Sequence, residues 1–164
     1  GGRVTRRAVE TLGAEYVECM TWTSLAWSRW LDQRGVVGAS IDLPAVKALA
    51  RRAVFVKDTY DDGRPNAALG LALALPPKPL GPKLEEAREA FERAISTAPG
   101  RLTYQVDMAQ YVSAAEGKAG EWAATLNAVV NAPVVEVDPD KLENERAVAR
   151  ARTLLAAGMD ARWD

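Results

Sequence analysis

Between Leu84 and Ala98 the residues Ala87, Ala90, Phe91, Ala94, Ile95 and Ala98 recur at i, i+3, i+4, i+7, i+8 and i+11. This spacing is one face of an α-helix; a strand would need alternation at every second position. Pro99-Gly100 follows and ends the run. The same period extends over most of the chain. Tyr16, Met20, Thr23, Trp27 and Trp30 advance by alternating steps of four and three within 14–34, and Cys19, Trp22 and Ala26 add a second apolar strip. A helix burying more than one side is expected there, ended by Gly35. Asp42 as N-cap and Pro44 in the first turn predict the start of a second helix. Its inner face is Ala45, Ala48, Leu49, Ala53 and Val56.

Further along, Asp61-Asp62-Gly63 reads as a turn, and Pro65 opens a short helix through Leu75. The segment from Pro76 to Pro82 holds four prolines and must be loop. After the Leu84–Ala98 helix, another is expected from Leu102 to Glu116, with Tyr104, Met108, Tyr111, Val112 and Ala115 on one side. Gly117 to Gly120 supplies a turn, and Trp122, Ala123, Leu126, Val129 and Val130 mark the next helix, stopped by Asn131 and Pro133. Residues Val134 to Val137 alternate weakly as a short strand. Asp138-Pro139 predicts the start of a last helix, with Leu142, Ala147, Ala151, Leu154 and Leu155 inward until Gly158.

These elements form about three helix pairs and a terminal packing helix, an all-α chain. Hairpins that cannot bury their faces alone do so by stacking, so the expected architecture is an α-solenoid. Ala87, Phe91, Ala94 and Pro99 stand at the offsets of the second half of a tetratricopeptide repeat, with Leu69-Gly70 as the close-packing pair on the partner helix. The other pairs match that template loosely, and a plain helical bundle is the alternative. Residues 14–164 read as a single helical-repeat domain, preceded by an extension or part of a truncated helix over 1–13.

Composition narrows the chemistry. Lys and Arg number 21 against 22 Asp and Glu, so nothing in the charge points to nucleic acid or an anionic membrane. The 164 residues include no histidine, which removes histidine-based triads and imidazole-ligated zinc or haem. The one cysteine, Cys19, has no internal disulfide partner and reads as a small inert core residue. The apolar run Cys19–Leu31 contains Arg29 and is too short to span a bilayer. No signal-length apolar stretch follows Arg3, Arg6 and Arg7.

Three stretches together resemble one family, the tetratricopeptide-like accessory (T) component of TRAP transporters. They are Leu69-Gly70, Leu75-Pro76-Pro77 and Leu80-Gly81 running into Glu86-Ala87-Arg88-Glu89-Ala90-Phe91-Glu92-Arg93-Ala94-Ile95; Leu142, Asn144, Ala147, Ala151, Leu154 and Leu155; and the aromatic segment Tyr16–Trp30. The resemblance implies a non-enzymatic periplasmic subunit with no cofactor, and leaves room for a lipid anchor on a segment preceding this sequence. It implies a periplasmic solute-binding protein as partner, a hydrophobic small molecule as ligand and a trimer as assembly.

The candidate ligand-binding residues are Trp27, Leu69, Leu73, Tyr104, Met108 and Tyr111, all apolar or aromatic on the helices that would line a concave side. Tyr104 and Tyr111 could line a groove or simply pack. Trp22, Trp27 and Trp30 read as core before interface. Asp58, Asp61 and Asp62 lack the spacing of a calcium loop and read as a solvated turn. Glu85, Glu86, Glu89 and Glu92 interleave with Arg88 and Arg93 as an exposed helix face. Asn144, polar among inward alanines, is expected to tie its helix to a neighbouring loop. Gly35, Gly38, Gly117 and Gly120 follow no strand and make no phosphate loop. A tetratricopeptide scaffold for a peptide is the alternative function. An enzyme is more distant, because no acid–base pair or nucleophile stands out.

Overall fold

The Leu84–Ala98 pattern becomes a helix in the computed structural model, which describes residues 6–34, 36–76, 81–133 and 140–159. Every regular element among them is helical: α1 (Arg6–Glu10), α2 (Val17–Arg34), α3 (Val36–Lys57), α4 (Arg64–Ala74), α5 (Leu84–Thr97), α6 (Leu102–Met108), α7 (Ala119–Asn131) and α8 (Lys141–Ala157). A 3₁₀ turn at Ala14–Tyr16 leads into α2, and α6 continues as a π turn over Ala109–Ser113. The helices gather into two compact units, Gly1–Thr97 and Ala98–Asp164. The expected strand at 134–137, the Asp138-Pro139 helix start and the stop at Gly35 lie outside the described residues, as do 77–80 of the proline-rich loop.

In the first unit α4 is the axis, packed by α2, α3 and α5. All of its residues except Leu69 are buried, and five of the eleven are Ala or Gly, which lets three neighbours approach one short helix. Its entry needs three left-handed residues in succession: Asp61, Asp62 and Gly63, with φ of 44°, 54° and 83°. Aspartate tolerates that region through local hydrogen bonding. Gly63 has a second constraint, since a Cβ there would lie 3.1 Å from Thr97 Cβ and 3.3 Å from Ala94 Cα on α5. Gly70 is tighter still: a Cβ would meet the Phe91 ring at 2.8 Å. The expected pairing of Leu69-Gly70 with the Phe91 helix is therefore present as a backbone-to-ring contact. On α5, Ala87, Ala90, Phe91 and Ala94 are buried, as the period requires.

Two readings of this unit need correction. The helix expected to begin after Asp42 begins at Val36 and carries Pro44 inside it. Pro44 donates no hydrogen bond to the preceding turn, yet Leu43, Val46, Ala50 and Ala53 form one continuous buried stripe that spans it. Burial of Leu43 on that stripe favours helix on both sides of the proline. The inner face is correspondingly rotated from the expected one to include Val46 and Ala50.

The second correction concerns α2, whose buried face is Val17, Met20, Thr21, Ser24, Ser28 and Leu31. Tyr16, Trp22 and Trp30 are 47%, 45% and 43% exposed, and Trp27 is half-buried. Small hydroxyl residues, not tryptophans, share the buried face with Val17, Met20 and Leu31, and their small volume suits close packing of helices. Ser24 Oγ donates to the Thr21 carbonyl at 2.9 Å, which satisfies it locally. Cys19 is exposed rather than core. Its thiol should therefore react with Ellman's reagent in native buffer, one equivalent per chain; reaction only after denaturation would refute this orientation of α2.

The second unit packs α6 and its π turn against α7 and α8. Leu102, Val106, Trp122, Leu126, Val129 and Ala151 lie at its core. Asn144, 2% exposed, accepts from Leu102 N–H at 2.9 Å and donates to Gly100 C=O at 3.0 Å. The amide thus ties α8 to the turn that starts α6, as expected for a buried polar group among alanines. Leu142 does not face inward: it is 59% exposed, and Val148 takes a core position instead. Asp140, at the N-cap of α8, uses its carboxylate on Arg101 rather than on the helix.

Candidate functional site

The six sequence candidates divide between the two units. In the first, Trp27 lies half-buried against the cluster of Val9, Val17, Met20, Leu49 and Ala53. Leu73 is buried and Leu69 half-buried on α4. In the second, Tyr104 and Tyr111 are 1% and 2% exposed, and Met108 is half-buried.

The tyrosines belong to two polar networks. The Arg101 guanidinium, itself buried, makes a bidentate pair with Asp140 (2.9 and 2.8 Å) and donates from Nη1 to Tyr104 Oη at 3.1 Å. A planar fork against a planar carboxylate is the strongest such geometry. Arg150 donates to buried Asp107 at 2.7 Å and to Gln110, and its guanidinium lies 5.8 Å from the Tyr111 ring centroid. Gln110 and Tyr111 sit in the π turn, where Ala114 N–H bonds back to Ala109 C=O at 3.0 Å. The extra residue in that turn rotates the helix so that Tyr111, Val112 and Ser113 are all buried. Ser113 Oγ then donates to Glu121 at 2.7 Å.

Two surface features of the first unit carry more recognition chemistry than these packed groups. One is the outward face of α2 with the turn before it, where Tyr16, Cys19, Trp22, Ala26 and Trp30 are all exposed. Two of its rings are covered by cations. Arg34 lies 4.5 Å from the Trp30 centroid, and Arg64 lies 4.6 Å from that of Trp22. Arg64 is also paired with Asp61. Stacked guanidinium groups hold such rings in place and lower the cost of leaving them in water.

The other feature is a cleft of about 710 Å³ between α1 and α3. Val9, Pro44, Ala45, Ala48 and Phe55 supply apolar wall; Lys47, Arg51 and Arg52 supply cations, and Glu10 a carboxylate. Arg52 is fixed, donating from Nε to Leu12 C=O at 2.7 Å and lying 4.9 Å from the Phe55 centroid. Arg51 pairs with Glu86 at 2.7 Å, and Lys83 reaches the same carboxylate at 2.5 Å. Those two hydrogen bonds, Lys83 first and then Arg51, hold the Glu86 carboxyl below its ordinary range. Lys47 is half-buried, and the loss of water followed by the charges of Lys83 and Arg51 lowers its ammonium pKa. None of these residues was a sequence candidate. The available signal was the basic spacing 47, 51 and 52 beside alanines 45 and 48 on one helix.

Among the described residues no group of three or more Asp, Glu or Cys is placed to hold a metal ion, and no helix is long and apolar enough to cross a membrane. The model of the TRAP transporter T-component family matches residues 3–161. The chain belongs to that family. No curated protein matches it. In this T-component the family match runs across both units and over the α2 face, the α1/α3 cleft and both arginine networks alike.

Proposed function

We propose that this T-component is a non-enzymatic periplasmic accessory subunit of a TRAP-type transporter that docks the transporter's solute-binding protein. The observation that carries the docking reading is the outer face of α2. Aromatic side chains with a cation stacked on them are the residue types that dominate protein interfaces, and here Trp22 and Trp30 are about half exposed while smaller residues fill the core side. The non-enzymatic reading is supported by a sequence without histidine, the usual general base near neutral pH. Family membership supports the periplasmic location and the transporter partnership. Trp27, Leu69 and Leu73 are proposed as contacts of a hydrophobic small molecule within the first unit, Tyr104, Met108 and Tyr111 as such contacts within the second, and the assembly proposed is a homotrimer.

The test is a titration of the protein with the solute-binding protein of the same transporter. Trp22→Ala with Trp30→Ala should raise the Kd by about thirtyfold or more, the effect of losing one interface hot spot. The melting temperature should stay close to that of the parent, since both rings are about half exposed. An unchanged Kd would remove α2 as the docking face. Native mass spectrometry of protein from its own host reads the rest: a trimer with retained lipid-sized mass is expected, and a bare monomer would refute both the assembly and the ligand.

A further inference from the structure

Within the α1/α3 cleft the cations are not equally committed. Arg51 and Lys83 share Glu86, and Arg52 is tied to the Leu12 carbonyl and the Phe55 ring. The Lys47 ammonium makes no hydrogen bond or ion pair with any described residue, although the residue is half-buried. Among the described residues, four cations (Lys47, Arg51, Arg52, Lys83) therefore stand against two carboxylates (Glu10, Glu86), an excess of two positive charges beside the cleft. Glu86 offsets the Lys47 charge only from beyond bonding distance, and a partly desolvated ammonium with no anion bonded to it is costly unless one completes it.

The walls restrict which anion. Val9, Pro44, Ala45, Ala48 and Phe55 form an apolar lining, and Phe55 at 78% exposure forms a rim that gains by being covered. A bare inorganic anion would leave that lining in water. An acidic peptide would need several uncommitted cations, and the cleft offers one. The volume of about 710 Å³ falls in the range of small-molecule sites.

We propose that the α1/α3 cleft binds a small organic monoanion, a carboxylate on an apolar body, with the head on Lys47 Nζ and the body against Ala45, Ala48 and Phe55. The site shares no residue with the α2 docking face or with the six ligand candidates above. Its success or failure is therefore separate from theirs.

Isothermal titration of the full chain with decanoate, decanol and hexaglutamate tests it. Decanoate should show one site per chain that Lys47→Met weakens, distinct from any site at the six candidates, and should bind there about tenfold or more tighter than decanol, the size expected for a charge-assisted contact. Lys47→Met keeps the aliphatic stem and should weaken decanoate about tenfold while leaving decanol unchanged. Phe55→Ser, at an exposed position, should weaken both. Equal binding of decanoate and decanol by the parent protein, or no effect of Lys47→Met on decanoate, would overturn the proposal. Hexaglutamate binding tighter than decanoate would overturn it in favour of an acidic protein segment. Unchanged circular dichroism and melting of both variants confirm that binding, not folding, is being read.

Discussion

Phe91→Ala should lower the stability of the first unit by about 3–5 kcal/mol, and Gly70→Ala should change sign depending on whether Phe91 is present. The ring is fully buried between α5 and the small-residue helix α4. Its removal leaves a cavity that α4, itself buried, cannot collapse to fill. In the parent protein a Cβ on Gly70 would meet Cδ2 and Cε2 of that ring at 2.8 Å. Overpacking of this kind costs about 1–3 kcal/mol, against roughly 1 kcal/mol gained from alanine's helix propensity, so Gly70→Ala alone should destabilise. In the Phe91→Ala background the methyl enters the cavity, and the same substitution should stabilise by about 0.5–1 kcal/mol. Urea melts of the four proteins, with amide exchange to assign the change to α4 and α5, complete the cycle. A Gly70→Ala that stabilises the parent protein would mean that the ring moves aside freely, and the close approach would not be what holds α4 against α5.

That pair was legible in the sequence because a periodic run with one large residue and a glycine on the partner helix leaves few other arrangements. The same period placed α5 and α7, and the Asp61-Asp62-Gly63 turn followed by Pro65 placed the start of α4. The reading failed where hydrophobicity and size disagreed. On α2 the expected inward set includes Met20 and the tryptophans, yet of these only Met20 is buried, on a face completed by Val17, Thr21, Ser24, Ser28 and Leu31. Close approach of backbones selects small volume, a quantity that an apolar count does not weigh. Pro44 failed for a related reason: a start signal is local, whereas burial of Leu43 on a stripe shared with Val46 is tertiary. The α1/α3 cleft was illegible because its charge balance depends on Lys83 and Glu86, which a separate helix and loop bring beside Lys47 and Arg51. Sequence spacing on α3 could suggest three cations together but not which of them remains uncommitted.

Asn144→Ala should destabilise the second unit by about 2–4 kcal/mol, whereas Leu142→Ala, two residues away on α8, should change stability by less than about 0.5 kcal/mol. The order is the reverse of what hydrophobicity suggests. Leu142 is 59% exposed and loses little burial, while the Asn144 amide has both ends engaged with backbone across 42 and 44 residues of sequence. Leu102 N–H is one of the orphan donors in the first turn of α6, and Arg101, the N-cap residue, offers it no side-chain cap. With alanine at 144 that buried N–H loses its acceptor, and no neighbouring side chain of the turn replaces it, because the Arg101 guanidinium is itself a donor. Chemical denaturation measures the total, and amide exchange at Leu102 locates it: protection there should fall more than at Leu126, which lies in the α7 core. Equal loss at both positions would mean that Asn144 acts by filling space and not by capping. The contrast also bears on how the unit assembles. Because the acceptor for the start of α6 comes from α8, the first turn of α6 is complete only when α8 has docked, and the Arg101–Asp140 pair closes the same junction from the other side.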